Sequence, residues 1–438
     1  MVPKNFLNAR SLVLALWLVA ALGAPSPSQE APKLTLAGAV DRALQYSPEL
    51  AAARAEIRAA RGRTMQAAAF AAPELTLTWD AMPAFFNPAG ADERSVGISQ
   101  SFEFPLKRKH RLQALRHEEV LAEGRLQRTQ KLVAARVKRA YFRALLDGRQ
   151  IANLEMASAW LEQFAALAAS RYAAQNGTYL EVLRARVEKA KLESELIGWR
   201  GEAQQAQAAL NILLGDPASR RLLLADTFSE PPFGRSLEQE IAGRLAENTR
   251  LRQAREDVSR QLSLLALARS GYWPDLSLAV TRQRLNGQPP YDANGYSGSR
   301  GNGWAIELGV SLPFVLGRGP RAEILQARAG LDKAETLQAA AEKEVRAAVE
   351  TAWQKIKTSE AQVGVFRGSL LADSRDQLQA GLELYRLLRI DSWQLLDVLR
   401  SDLEVESEYS RALFRFNLAL ADLEAAGENE NMGVENEE

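Results

Sequence analysis

The chain repeats itself. Residues Leu36 to Thr78 align without a gap on Leu237 to Ala279, an offset of 201 positions (274 − 73 for Pro73 and Pro274). Leu36/Leu237, Leu44/Leu245, Leu50/Leu251, Arg54/Arg255, Leu75/Leu276 and Leu77/Leu278 are identical pairs. Farther along the offset drifts, pairing Pro105 with Pro313 and Tyr172 with Tyr385, while the order of elements is kept. Each half reads helix, strand, polar loop, strand, very long helix, short break, helix, the pattern of a tandem duplication. The turn-rich stretches Gly215–Arg221 and Ser229–Gly234 separate the halves.

The helical parts are Ala-rich with a sparse apolar rhythm. Leu132/Val133, Val137, Tyr141/Phe142 and Leu145/Leu146 recur at spacings of three to five, a narrow seam of the coiled-coil kind. The stretches Leu106–Arg171 and Arg321–Leu387 each allow roughly 66 mostly helical residues, about 100 Å of helix at 1.5 Å per residue. Gly148 in the first, and Gly364 and Gly368 in the second, mark expected irregularities.

Four segments, about 74–80, 95–104, 275–284 and 304–313, break this rhythm with period-two alternation. Trp304, Ile306, Leu308, Val310 and Leu312 alternate with Ala305, Glu307, Gly309 and Ser311; Val96, Ile98, Phe102 and Phe104 alternate with Gly97, Ser99, Ser101 and Glu103. Leu75, Leu77 and Trp79 share a face, as do Leu276, Leu278 and Val280. Alternation of this kind normally means a sheet with one buried face, yet the adjoining helices are committed to their own seams and no separate core is evident. Lipid resolves the conflict, because strands of about 9–11 residues cross a bilayer when tilted. Leu75, Leu77, Val96, Ile98, Leu276, Leu278, Ile306, Leu308 and Val310 are therefore expected to face lipid, with Glu103 and Glu307 turned to a lumen. Tyr272, Trp273, Phe85 and Phe86 lie near strand ends, where an aromatic girdle belongs. Four strands cannot close, and an open edge cannot sit in lipid. Two copies give eight strands, a barrel filled by side chains; three give twelve and leave a lumen.

Bulk properties narrow the classes further. A formal net charge of +1 over 438 residues supplies no basic field for nucleic acid. With no cysteine, disulfides, thiolate metal sites and Cys nucleophiles are excluded. Lys4 and Arg10 precede the apolar run Ser11–Leu22, and "PSPSQ" follows, which reads as a signal peptide over 1–24 with a linker over 25–33. The expected domains are then a first repeat over 34–215, a linker over 216–235, a second repeat over 236–427 and a disordered acidic tail over 428–438. His110 and His117 share a helix face amid Lys107, Arg108, Lys109, Arg111 and Arg116, cations that oppose a bound metal and suit lipid headgroups better. No nucleophile–base set, phosphate loop or HExxH pattern is present, so neither an enzyme nor a cofactor is expected.

The opening "LTLAGAVDRALQYSPELAAARAEIRAARGR" (Leu34–Arg63), its echo in the second half, "ISQSFEFPLKRKHR" (Ile98–Arg111), "YAAQNGTYLEVLRAR" (Tyr172–Arg186) and "YRLLRIDSWQLLDVLRSDLE" (Tyr385–Glu404) together resemble the TolC family of outer-membrane efflux proteins. The resemblance covers nearly all of the chain after the signal peptide. It implies a homotrimer: a mainly α protein whose helical barrel joins a shared twelve-stranded transmembrane β-barrel in outer-membrane lipid. It also implies a periplasmic adaptor and an inner-membrane pump, of the RND type, as partners. Ile98–Arg111 is most similar to members paired with heavy-metal or cation pumps. The family's "DVLDA" tip pattern falls on Asp397-Val398-Leu399-Arg400-Ser401 and on Glu181-Val182-Leu183-Arg184-Ala185. Asp397 and Glu181 thereby become candidates for a periplasmic pore constriction, with Arg400 and Arg184 one turn away and expected to pair with them. A soluble periplasmic coiled-coil adaptor is the alternative, although an adaptor needs no twofold repeat and no such strands.

Overall fold

The computed structural model of the chain describes residues 33–80, 82, 88, 91, 93–230, 232–285, 302–313 and 318–428. The expected signal peptide, Phe85, Phe86 and most of both strand-connecting loops lie outside the described residues. In chain order the elements are α1 (Leu36–Tyr46), α2 (Pro48–Ala68), β1 (Glu74–Asp80), β2 (Glu93–Phe102), α3 (Pro105–Ala173), α4 (Tyr179–Leu214), α5 (Leu237–Glu247), α6 (Thr249–Ser270), β3 (Leu276–Leu285), β4 (Asn302–Val310), α7 (Arg318–Val365), α8 (Leu371–Arg386) and α9 (Ser392–Glu424). A π turn, Phe366–Leu370, joins α7 to α8. The duplication is visible in the elements: α1 and α5, and α2 and α6, begin 201 residues apart (237 − 36 and 249 − 48).

Two features of each repeat escape the apolar pattern. What reads as one opening helix is two, split at Ser47 and at Asn248, both in extended backbone. The second split is capped: the Asn248 side chain accepts from Leu251 N at 3.0 Å, satisfying one of the free N–H groups of α6. The first carries Pro48 at the head of α2, where no N–H is needed. The long helices also differ from expectation. Gly148 leaves α3 unbroken over 69 residues, whereas Gly368 falls inside the π turn of the second repeat.

The repeats do not fold as two separate bodies. One compact unit combines residues 1–43, 140–229 and 373–414, the other 44–139, 230–372 and 415–438. In the first, Leu161, Phe164, Leu196, Leu378, Tyr385 and Leu395 head a core shared by α3, α4, α8 and α9, with the Phe164 and Tyr385 rings 5.3 Å apart. The expected linker is also tied down in this unit. Leu34 pairs with Leu224 as an isolated parallel bridge, and the Tyr141 hydroxyl donates to Leu34 O at 2.8 Å and to Asp226 at 3.0 Å. Burial, then the hydrogen bond to Asp226, pushes the Tyr141 hydroxyl up to about 12.

In the second unit β1–β4 form one antiparallel sheet in the order β1-β2-β3-β4, so β2 and β3 join the two repeats through a direct ladder. The junction below it is fixed by Asp275, which accepts from Phe104 N at 2.9 Å and from Lys107 at 2.8 Å. The aromatic pair Phe104 and Trp273 stacks beside it at 4.8 Å. This unit also corrects the boundary of the acidic tail. Glu428 is buried: it accepts from Thr249 N at 3.0 Å and pairs with Lys131 at 2.8 Å, placing a carboxylate on the positive end of α6. Gly427 precedes it at φ +74, where an added Cβ would meet the Val345 backbone at 2.9 Å. Glu428→Ala is expected to cost about 2 kcal/mol of stability, seen as a lower denaturation midpoint, while Glu424→Ala, a surface pair to Lys138, costs well under about 1 kcal/mol.

Candidate functional site

The sheet has two chemically opposite faces. Its register aligns Leu75, Ile98, Val280 and Ile306 in one row and Leu77, Val96, Arg282 and Trp304 in the next. Gln100, Leu278 and Leu308 form a third row, and Phe102, Leu276 and Val310 a fourth. All nine residues expected to face lipid therefore share one face, and all are exposed in the protomer, from 40% at Leu278 to 74% at Ile306. The other face carries Thr76, Gly97, Thr281 and Ala305, then Ser99, Ala279 and Glu307, then Ser101, Ser277 and Gly309. It is small as well as polar: a Cβ on Gly97 would lie 2.7 Å from Thr281 Oγ1.

Aromatic residues mark both ends of the apolar face. Trp273 and Phe104 lie toward the helices; Trp79 and Trp304, exposed at 42% and 70%, lie toward the hairpin loops. Of these four, only Trp273 is among the girdle residues that the sequence leads one to expect. The basic run after β2 is largely spent within the protein. Lys107 holds Asp275, Arg108 donates to Ala68 O and lies 4.2 Å over the Phe70 ring, and Arg111 pairs with Glu103. Burial acts against ionisation of Asp275, but the bonds from Lys107 and Phe104 N outweigh it and hold that carboxyl below its ordinary value. His117 Nδ1 lies 2.6 Å from Glu256 Oε1, and His110 Nδ1 3.2 Å from Gln113 Oε1.

The helical turns α3–α4 and α8–α9 hold the four tip candidates. Both turns close the same way. Gln175 and Leu388 take left-handed backbone, at φ 59 and φ 60, and Asn176 N and Arg389 N reach back to Arg171 O and Leu384 O at 2.9 Å. Asp391 then caps α9, accepting from Gln394 N at 2.8 Å while Gln394 Oε1 accepts from Asp391 N at 3.1 Å. The turns lie 213 residues apart (388 − 175), so Asp397 corresponds to Arg184, and Glu181 to Gln394. The "DVLDA" pairing of Asp397 with Glu181 is thus displaced by one helical turn, a slip that apolar spacing permits and the turn geometry removes.

Nor do the arginines pair as expected. Glu181 is largely enclosed, accepts from the Tyr385 hydroxyl at 3.0 Å and lies 3.9 Å from Arg171. Burial, then Glu181, pushes the Tyr385 hydroxyl up to about 12. Arg400 forks onto Glu188 instead of Asp397, and its guanidinium and that of Arg184 lie 5.8 and 5.9 Å from the Trp393 ring centre. Glu188, which the sequence reading missed, also takes Lys191 at 2.9 Å. Burial opposes its charge, but Lys191 and Arg400 together hold its carboxyl below the ordinary range. Asp397 is exposed and, among the described residues, has no ion-pair partner.

A mainly helical chain bearing an open four-stranded sheet, apolar on one face and small and polar on the other, has the build of an outer-membrane channel protomer. The family described as "Outer membrane efflux protein" matches residues 39–216 and 242–388, and the chain belongs to it. A curated relative, the cobalt-zinc-cadmium resistance protein CzcC of Cupriavidus metallidurans, is 29% identical over 265 residues, covering 59% of this chain and 60% of CzcC. Among solved structures, the open-state MtrE outer membrane channel of Neisseria gonorrhoeae matches with a TM-score of 0.72 at 18% identity, over 90% of this chain and 88% of MtrE. CusC matches with a TM-score of 0.71 at 20% identity, over 91% of this chain and 92% of CusC.

Because the Glu188 pKa is depressed in the fold, its bonds contribute stability above the ordinary carboxylate range and lose it as pH falls through the depressed value. A double-mutant cycle on Arg400→Ala and Glu188→Gln should give a coupling of about 0.5–1 kcal/mol at neutral pH. That coupling should vanish below the depressed pKa, and a pH-independent value would place the interaction elsewhere.

Proposed function

We propose that the chain is the exit duct of a tripartite efflux system. Three copies share a twelve-stranded outer-membrane barrel and passively conduct substrate handed over by an inner-membrane pump and a periplasmic adaptor. The observation that carries the reading is the sheet. Among the described residues nothing covers its apolar face, and β1 and β4 each leave an open edge, so it requires both lipid and neighbouring copies. Family membership supports the same reading, and nothing in the fold favours the soluble adaptor.

The likeness to CzcC supports export of divalent cations as the cargo class. So do the acids on the small-residue face, Glu74, Asp80, Glu93 and Glu307, which in a closed barrel line the lumen. At the tip the proposal narrows to Asp397. Glu181 is held by Tyr385 and Arg171, whereas Asp397 is exposed and spared neutralisation because Arg400 and Arg184 are engaged elsewhere. Three copies of Asp397 converging on an axis raise the local cation density.

Two experiments test these parts. Arg at Leu75 or Ile306, in the middle row of the apolar face, should abolish membrane assembly, since a lipid-facing arginine costs about 2–4 kcal/mol near the bilayer centre; Arg at Thr76 or Ser277 should assemble. Equal loss in all four variants would contradict the assignment of faces. Separately, Asp397→Asn should weaken block of single-channel current by trivalent cations several-fold, and Glu181→Gln should leave the block unchanged.

A further inference from the structure

Two cations of the basic run after β2 are not engaged within the protein. Lys109 and Arg116 stand two turns apart on α3, both exposed, and neither has an ion-pair or hydrogen-bond partner among the described residues. They line a cavity of about 820 Å³ at the base of β2. Arg108 and Arg111 line it too. Each donates elsewhere, to Ala68 O and to Glu103, yet the Nε of each is buried without a hydrogen-bond partner. Glu103, already engaged by Arg111, is the one acid of the lining among the described residues.

The strands decide which side the cavity opens on. They contribute Ser101, which the ladder places in the row of Ser277 and Gly309, and Glu103, two residues farther on. Both belong to the small-residue face, and no residue of the apolar rows lines the cavity. In a closed barrel that face is the lumen, so the cavity opens on the duct where strand gives way to helix. From Pro105 to Arg116 it follows α3 for about 17 Å at 1.5 Å per residue. The next row of the same face toward the hairpin loops is acidic at both ends, with Glu74 on β1 and Glu307 on β4. The wall therefore changes sign within one row, from cations at the neck to carboxylates in the barrel.

A cleft of one sign with low-dielectric walls concentrates counter-ions. Buried N–H donors lacking acceptors favour an oxyanion, which offers several acceptor atoms to guanidinium and ammonium groups at once. An excess of cations over the single engaged acid favours more than one negative charge.

Resting on the exit-duct reading, we propose that this cavity binds a small multivalent oxyanion, a polycarboxylate or polyphosphate, one per protomer. Lys109 and Arg116 are its principal ligands, and Arg108 and Arg111 add their Nε–H donors. The bound anion cancels a ring of positive charge that otherwise opposes cations, so the neck passes cation cargo best when loaded.

The test uses trimers of the expressed chain in planar bilayers at about 0.1 M KCl, where exposed charges act over about 10 Å. Potassium citrate or potassium acetate is added at equal ionic strength, and the permeability ratio of K⁺ to Cl⁻ is read from reversal potentials. Citrate should raise the ratio several-fold in the wild type, and acetate should not. Lys109→Gln/Arg116→Gln should start from a raised ratio and ignore citrate, Lys109→Gln alone should lose part of the response, and Lys109→Arg/Arg116→Lys should respond like the wild type. No rise with citrate in the wild type, an equal rise with acetate, or an undiminished response in the Gln variants overturns the site. A wild type that opens no channels at all overturns the exit-duct reading, and the site with it.

Discussion

Everything in this protein turns on a sheet that cannot be satisfied by its own chain. Among the described residues, the four strands leave two rows of unpaired backbone groups, and one face carries leucine, isoleucine, valine and tryptophan with nothing over them. In water that face costs about 25 cal/mol per Å² exposed; in lipid the face is at home but the open edges are not. Only closure with further copies, in a bilayer, meets both demands. The tandem repeat makes this economical, because the ladder that joins β2 to β3 within the chain is a template for the one that must join β4 to β1 of a neighbour.

The helices serve that sheet from below. Asp275, just before β3, binds Phe104 N and Lys107 from the other repeat, so the two hairpins are tied together at their bases within one protomer. Glu428, far away in sequence, does comparable work at the head of α6, where its carboxylate caps the helix and holds Lys131. In the other unit a shared apolar core fixes the α3–α4 and α8–α9 turns. The side chains of those turns are then sorted into paired ones, Glu181, Glu188 and Arg400, and Asp397, an acid with no ion-pair partner among the described residues.

Much of this was legible in the sequence, and the reason is periodicity. Alternation at Trp304–Leu312 or Leu75–Trp79 is a two-residue signal that survives any tertiary arrangement, so the strands and their faces could be read directly. The tip was less legible. "EVL" and "DVL" match each other one helical turn out of register because the apolar rhythm of a helix nearly repeats every three to four residues. Only the left-handed Gln175 and Leu388 fix the correspondence, and neither is the glycine that usually announces such a turn. Ion-pair partners were beyond reach for a related reason: Arg400 chooses Glu188, on another helix, over its own neighbour Asp397, and residues 212 apart carry no mark of each other in sequence. Glu428 was read as tail because acids cluster after it, yet its burial depends on Thr249 and Lys131.

The central claim is that the sheet is one third of a shared membrane barrel. Membrane fractionation of the expressed chain, followed by electrophoresis with and without heating, tests it most directly. A band at three times the chain left after signal-peptide removal, each copy a little lighter than the 48.2 kDa full chain, recovered from the outer membrane and collapsing to monomer on boiling, is the result the account predicts. A monomer recovered in the soluble periplasmic fraction would contradict it.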